Sequence, residues 1–200
     1  QVLDARGYKL IGWFDLGLIR FFSTKPLDKP SDLRGMNPWT LPQDQVFSEF
    51  LRVVGANPVS LPIDQVKAAL PSRVNVVPAS ALAAYGLEWY PRLPHVSSQG
   101  RGIVVGMTVV RKDRFEALTA EQQATVVSTA ERVHGIIRSR MREQDETLFQ
   151  TIRSRQGVQT FDMSAHSAEW QRAAEQARTR LQGRVFPPQL LRTMVRAAAE

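Results

Sequence analysis

The most constraining feature of this 200-residue sequence is one long helical pattern in its second half. Residues 119–122 (Thr-Ala-Glu-Gln) form a capping box, which is typical of a helix start. From there, apolar residues recur at helical spacing to about Arg155. A helix of that extent would be about 50 Å long at 1.5 Å per residue. Because this length exceeds the width of a small domain, we expect the helix to bend or to cross between two lobes.

In the first half of the chain, short apolar runs alternate with short helical patterns. One helix is predicted after Asp44, which can cap it, and Gly55 is a typical residue to end it. The order β-α-β-α-β with short connections indicates an α/β fold whose parallel or mixed sheet carries helices on its faces. The predicted strands cover residues 8–14, 19–24, 39–41, 58–61 and 74–77, and the predicted helices cover 31–35, 44–55 and 63–70.

A continuous run of apolar, mostly β-branched residues at 102–110 predicts a strand that is buried on both faces. After the long helix, residues 158–161 predict a short strand. A helix is predicted from Ser167 to Gly183, and Pro187-Pro188 opens a last one.

The composition excludes several classes of protein. The chain is 43% hydrophobic and has no cysteine, which rules out disulfide scaffolds, thiolate zinc sites and cysteine nucleophiles. No apolar run approaches the roughly 20 residues that span a bilayer. The histidines His95, His134 and His166 lack metal-ligand spacing, and neither a phosphate-binding loop nor a nucleophile elbow is present. We therefore expect no metal, no cofactor and no enzymatic activity.

The net charge of +7 is carried mostly by arginines. An arginine-rich nucleic-acid-binding module is the alternative that this charge allows. Because acidic and basic residues alternate along the long helix, we favour solvated helix faces and expect no nucleic-acid partner. Residues 143–146, which contain Glu143, Asp145 and Glu146 beside arginines, are predicted to be a solvated, salt-bridged patch.

Arg20 stands out because it lies in an apolar, strand-like run between Ile19 and Phe21. A guanidinium in such a place is costly unless an anion pairs with it. Two interpretations stay open: a buried structural ion pair, perhaps with Asp15, or an anchor for a carboxylate ligand. The aromatic residues near predicted turns, Trp13 and Trp39 among them, are either core residues or walls of an apolar pocket.

The order of several motifs resembles the solute-binding proteins of tripartite ATP-independent periplasmic (TRAP) transporters, of the DctP type. Each motif is weak alone, and the signal is their unbroken order. They lie at residues 17–20 (Gly-Leu-Ile-Arg), 25–27 (Lys-Pro-Leu), 31–36 (Ser-Asp-Leu-Arg-Gly-Met), 50–62, 63–70 and 118–123.

The resemblance implies a periplasmic-binding-protein-like α/β fold with two lobes, mixed sheets, hinge strands and a long lobe-spanning helix. The chain would correspond to the C-terminal two-thirds, with the first lobe incomplete. The expected units are 1–16 as a remnant of the first lobe, 17–104 as the second lobe, 105–155 as the return and the spanning helix, and 156–200 as C-terminal helices. The implied function is periplasmic capture of a small organic solute for TRAP membrane subunits, with the signal segment not in this chain.

The sequence departs from the family pattern where ligand groups are expected. Trp39 occupies the position of the usual clamp arginine, and residues 75–80 (Asn-Val-Val-Pro-Ala-Ser) replace a polar segment. This departure indicates a divergent subfamily, some members of which have a tetratricopeptide-repeat partner, and a carboxylate solute with an apolar body. The candidate ligand-binding residues are Trp13, Phe14, Arg20, Asn37, Trp39, Thr40, Val77, Pro78 and Ala79.

Overall fold

A computed structural model describes residues 2–197, with the side chains of positions 195 and 197 left aside. The strands are β1 (Tyr8–Leu18), β2 (Arg20–Ser23), β3 (Trp39–Thr40), β4 (Val59–Ser60), β5 (Val76–Ala79), β6 (His95–Ser97), β7 (Ile103–Arg111) and β8 (Gln159–Phe161). The helices are α1 (Val2–Ala5), α2 (Gln45–Val53), α3 (Val66–Ala69), α4 (Ala81–Gly86), α5 (Lys112–Glu116), α6 (Ala120–Arg153), α7 (Ser167–Leu181) and α8 (Pro188–Ala197). Short 3-10 turns cover Pro30–Leu33, Ile63–Gln65, Tyr90–Arg92 and Ser164–His166.

The larger sheet has the strand order β5-β2-β6-β8. Strand β2 runs antiparallel to β5 and β6, whereas β6 and β8 are parallel. The parallel pair β3-β4 adjoins this sheet through a bridge between Pro38 and Val76. The prediction of a mixed sheet is confirmed.

Helices cover both faces of the larger sheet because successive side chains of its strands point to opposite sides. Phe22 and Val77 belong to a core on one face, which the end of α6 closes with Phe149. Phe21 and Val76 belong to a separate core on the other face, where α2 and α7 pack. The strands are therefore buried on both faces, which explains why the sequence shows continuous apolar runs there.

The second sheet is a two-stranded antiparallel ribbon of β1 and β7, packed on α6. The expectation that β7 is buried on both faces is wrong. Its alternate residues Ile103, Val105, Met107 and Val109 are exposed, and Met107 is 57% exposed. Among the described residues, β1 and β7 pair only with each other, so this apolar side of the ribbon has no cover.

The long helix α6 is continuous over 34 residues, as the sequence predicts. Thr119 and Gln122 form the expected capping box at its start. The helix packs on β1 and, near its end, on α4 and the core of the larger sheet. It therefore spans the two sheets, which confirms that it crosses between two parts of the molecule.

The chain crosses between the two sheets at two adjacent places. One crossing leads from β1 through Ile19 into β2, and the other leads from β6 into β7. The Ile19 N–H donates to the carbonyl of Gly102 at 2.9 Å, and the Arg101 N–H donates to the carbonyl of Ile19 at 2.8 Å. The two crossings are thus hydrogen-bonded to each other, and they lie beside α6.

Candidate functional site

The carboxyl ends of β3, β5, β6 and β8 meet at one edge of the larger sheet, since these strands are mutually parallel. Because β2 runs the other way, its first residue, Arg20, lies at that same edge, opposite Ala79. Ligands of open α/β sheets bind outside the carboxyl ends of the strands. Here that edge also adjoins the two chain crossings, so we place the candidate site there.

Arg20 is buried, with 3% of its surface exposed, and the anions it meets belong to α6. Its Nη1 donates to Asp145 Oδ2 at 3.4 Å, and its Nη2 donates to Glu146 Oε2 at 3.1 Å. The guanidinium also lies 3.8 Å from the ring centre of Phe149. Its Nε is buried and has no hydrogen-bond partner. Of the two interpretations left open by the sequence, the structure shows an internal ion pair.

The suggested partner Asp15 is wrong, because Asp15 pairs with another arginine. Arg142 Nη2 and Nε donate to Asp15 Oδ2 at 2.7 and 2.9 Å. This hydrogen bonding, aided by the charge of Asp15, raises the pKa of Arg142 above its ordinary value. The pair connects β1 to α6 on the side of the crossings where the β1-β7 ribbon lies.

Asp145 connects three parts of the structure although it is only 2% exposed. Its Oδ2 accepts the Leu18 N–H at 3.0 Å in addition to Arg20, and its Oδ1 accepts the Leu82 N–H at 3.0 Å. The carboxylate lies against Gly17, whose φ is +104° and where an added Cβ would be 2.3 Å from Asp145 Cγ. Asp145 therefore connects the end of β1, the start of β2 and the start of α4 to helix α6.

The interpretation of residues 143–146 as a solvated patch is consequently wrong for Asp145. The helical spacing of the sequence could have predicted this burial. Asp145 is four residues from both Met141 and Phe149, on the face of α6 that packs against the core. Glu146 fits that interpretation, because its side chain is 53% exposed and its carboxylate forms an ion pair with Arg20.

The structure places Trp39 in the core, which contradicts the expectation that it lines a cleft. It is 7% exposed, and its ring meets Trp89 edge to face at 5.3 Å. Its Nε1 donates to the carbonyl of Leu61 at 2.8 Å, so its one polar group is satisfied inside the chain.

The candidate ligand-binding residues of β5, at positions 77–79, are also mostly part of the core. Val77 is fully buried and Ala79 is nearly so, since both point into the core beneath α6. Pro78 is half-buried and lies opposite Phe21 in β2, while the buried Thr40 ends β3. Their roles in ligand binding stay predictions.

Asn37 lies away from Arg20, at the opposite edge of the sheet. Its backbone N–H donates to Asn75 Oδ1 at 2.8 Å, and its carbonyl accepts the Asn75 N–H at 3.1 Å. Asn75 precedes β5, whereas Arg20 is opposite the last residue of that strand. With about 3.3 Å per strand residue, the two groups are separated by about 13 Å along the sheet. The structure therefore does not bring Asn37 to the candidate site.

Trp13 and Phe14 lie on β1, in the smaller sheet. Trp13 is 51% exposed, and the guanidinium of Arg138 lies 5.3 Å from its ring centre. Phe14 stacks on His134 with ring centres 5.6 Å apart, between β7 and α6. His134 is thus a buried, packed residue.

Two surface cavities lie elsewhere. One, of about 410 Å³, lies between α7 and α8, and the other, of about 390 Å³, lies beside the start of β1. Neither is lined by a candidate residue. Within residues 2–197, no group of three or more His, Asp or Glu side chains is placed to hold a metal ion. The helices of this same range also include none with the length and hydrophobicity of a membrane span.

The fold and the site edge define a class: an α/β binding fold in which two sheets are joined by paired crossings and a spanning helix. Residues 1–182 match the family described as bacterial extracellular solute-binding protein, family 7 (DctP). The chain belongs to this family. Among curated proteins, none matches the chain.

Solved structures of TRAP periplasmic solute-binding proteins share the fold. A protein from Desulfovibrio desulfuricans with bound sn-glycerol-3-phosphate has a TM-score of 0.88 at 19% identity and covers 100% of this chain. One from Shewanella oneidensis with bound succinate has a TM-score of 0.85 at 20% identity and covers 92%. The ectoine-binding protein of the Halomonas elongata TRAP transporter TeaABC has a TM-score of 0.83 at 16% identity and covers 93%. The chain spans 64%, 60% and 62% of these structures, respectively.

Proposed function

We propose that the protein is the periplasmic solute-binding subunit of a TRAP-type secondary transporter. It captures a small organic solute, a carboxylate with an apolar body, by closing two lobes around it, and delivers it to the membrane subunits. Its role is binding and delivery rather than catalysis. A tetratricopeptide-repeat protein is a further partner that the divergent sequence suggests.

The observation that carries this proposal is the family match over residues 1–182, combined with the position of Arg20. Arg20 lies at the carboxyl edge of the sheet, next to both chain crossings and under the spanning helix. In this structure its charge is met by Asp145 and Glu146, so a solute carboxylate would have to bind beside them or displace one of them. Family structures with bound succinate, L-malate and β-D-galacturonate support a carboxylate as the solute.

We infer the lobes from the same arrangement. The larger sheet with α2, α4 and α7 forms the second lobe, about residues 17–104 plus packing from 156–200. Residues 1–16 and the return at 105–155 belong to the first lobe and the spanning helix. Closure bends the paired crossings near Ile19 and Gly102, since these are the strand connections between the lobes.

The nucleic-acid alternative is not proposed, because the family match over residues 1–182 supports solute binding. Four of the arginines also donate within the chain. Arg101 Nη2 donates to the carbonyl of Met163 at 3.1 Å, and Arg92 Nη1 donates to that of Leu70 at 2.9 Å. Arg20 and Arg142 bind carboxylates of the same chain.

The test is direct identification of the solute. Full-length protein is purified in its native state and is then denatured. The small molecules that it releases are identified by mass spectrometry. We expect a carboxylate, and we expect the same compound to raise the melting temperature and to bind in calorimetry. Release of no small molecule, together with no binding across a panel of organic acids, would overturn the proposal.

A further inference from the structure

The last two helices carry an unbalanced charge. Between Gln176 and Ala199 the sequence contains no acidic residue but five arginines, at positions 178, 180, 184, 192 and 196. The family match ends at residue 182, so α8 and the turn before it lie outside the matched residues. A local excess of positive charge attracts anions. This end of the chain is therefore suited to an anionic ligand, apart from the sheet edge that the solute is proposed to bind.

The cavity of about 410 Å³ between α7 and α8 brings three of these arginines together. Arg178 comes from α7, whereas Arg192 and Arg196 come from α8. The lining positions 175, 178, 179 and 182 repeat at helical spacing, so they follow one face of α7 and its end. The other lining residues are Glu175, Thr179, Gln182, Pro188 and Leu191. The cavity wall thus carries three positive charges against the one negative charge of Glu175.

Arg178 and Arg192 line this cavity without a counter-charge. Among the residues that the structure describes, no carboxylate forms an ion pair with either of them. Arg180, which does not line the cavity, pairs instead with Glu49 at 3.3 Å. A guanidinium has N–H donors only and keeps its charge at any ordinary pH, so guanidinium groups around one cavity repel each other. A ligand with negatively charged oxygens relieves this repulsion and supplies the missing acceptors.

We propose that the cavity between α7 and α8 is a second binding site, which takes an oxyanion of the phosphate class. Planar guanidinium groups bind phosphate oxygens in pairs, through two parallel N–H···O bonds. Arginines of two different helices approach the ligand from two sides, which suits a tetrahedral anion with oxygens on every side. The site goes beyond the proposed function, because none of its residues belongs to the sheet edge.

The size of the cavity leaves room for more than a phosphate ion. A water molecule occupies about 30 Å³ of the liquid, and the cavity measures about 410 Å³. A small body attached to the phosphate would lie next to Pro188 and Leu191. The phosphate belongs either to a free solute or to the headgroup of an anionic phospholipid, and both sources offer the arginines the same group.

The test compares two double variants of the full-length protein. Arg178→Gln/Arg192→Gln removes both unpaired charges of the cavity. Its matched control, Arg172→Gln/Arg184→Gln, removes two exposed arginines of the same region that do not line the cavity. Inorganic phosphate is titrated by calorimetry at fixed ionic strength, with acetate as the carboxylate comparison. In a second arm, each protein is sedimented with vesicles of phosphatidylglycerol and phosphatidylcholine and with vesicles of phosphatidylcholine alone.

We expect the unaltered protein to bind the phosphate group in at least one arm. Binding of inorganic phosphate identifies a free ligand, whereas retention on the phosphatidylglycerol vesicles alone identifies a headgroup. The cavity variant is expected to bind at least tenfold more weakly, and the control variant less than twofold.

Three results would overturn the inference: no binding in either arm, equal weakening by the two double variants, or acetate that binds as tightly as phosphate. If the cavity variant does not fold, Arg192→Gln alone is measured against Arg184→Gln, since both residues are exposed. The proposed function is judged separately, because release of a solute from the native protein does not depend on this cavity.

Discussion

Arg20 shows how strongly a single buried charge depends on its partners. In an apolar strand it needs an anion, and α6 supplies two. Removing one member of a buried ion pair leaves the other charge uncompensated in a place where water does not reach it. Loss of Arg20 would therefore leave Asp145 buried and unpaired.

We expect Arg20→Met to destabilise the solute-free protein by about 3–5 kcal/mol, because Asp145 is left buried without its counter-charge. Arg180→Met is the matched control, since Arg180 pairs with Glu49 at 3.3 Å on the surface. The control is expected to cost less than about 1 kcal/mol. Chemical denaturation of both variants measures the difference, and equal losses would show that the Arg20 pair contributes no more than a surface pair.

Trp39 gives a second prediction at this scale. Trp39→Ala removes a buried ring that packs on Trp89, so we expect a loss of about 3–5 kcal/mol. Trp13→Ala is expected to cost about 1 kcal/mol or less, since half of its ring already lies in solvent and its contact with Arg138 is weak. Thermal melts distinguish the two. A Trp39→Ala protein that melts like the parent but binds its solute poorly would restore the cleft role that the structure does not support.

At the scale of elements, helix α6 contacts both sheets and so connects them. Its middle carries His134 against the β1-β7 ribbon, and its end supplies Asp145 and Phe149 to the larger sheet. The packing of the helix on β1 is close at Gly12, where an added Cβ would be 2.1 Å from His134 Nδ1. By contrast, an added Cβ at Gly135, one residue further along the helix, would meet no heavy atom within 4 Å.

These two glycines make opposite predictions. Gly135→Ala is expected to stabilise the protein by about 0.5–1 kcal/mol, because alanine loses less backbone entropy in a helix than glycine does. Gly12→Ala is expected to destabilise it by about 1–3 kcal/mol, because the ring of His134 has to move. Urea unfolding of each variant gives the sign. Destabilisation by Gly135→Ala would indicate that the helix is not continuous at this point.

At the scale of the whole molecule, the uncovered side of the β1-β7 ribbon is the largest departure from a closed structure. Leu10, Trp13, Val105, Met107 and Val109 are exposed large apolar residues on two paired strands. Exposed apolar patches of this kind mark surfaces that another part of a protein covers. We propose that further polypeptide of the first lobe covers them, consistent with the greater length of the matched structures.

The absence of cysteine allows a clean test of this cover. Met107→Cys is expected to react with a maleimide at least tenfold more slowly in the full-length protein than Leu41→Cys, although Met107 is the more exposed of the two in the structure described here. Labelling followed by intact-mass measurement gives both rates. Similar rates would show that the ribbon is open in the complete protein.

Local patterns of the sequence determined much of the fold. The capping box at Thr119 and the helical period determined α6, and Asp44 caps α2 through its bond to the Phe47 N–H at 2.9 Å, as predicted. These features involve residues within a few positions of each other, so their physics is visible in the sequence. The strands of the larger sheet followed from apolar runs, although α4 and β6 were not predicted and β5 begins two residues later than expected.

Only the tertiary structure decided what the candidate site contains. Arg20 meets Asp145 across a separation of 125 residues, and the choice of Asp145 over Asp15 depends on which face of α6 lies at the chain crossing. Trp39 points into the core, where it meets Trp89 and the carbonyl of Leu61, and Asn37 lies at the opposite edge because β5 runs parallel to β3. Each outcome is set by strand direction and by packing between distant segments. Residue type alone cannot determine it, because the same tryptophan or arginine is stable in a core or at a cleft once its polar groups find partners.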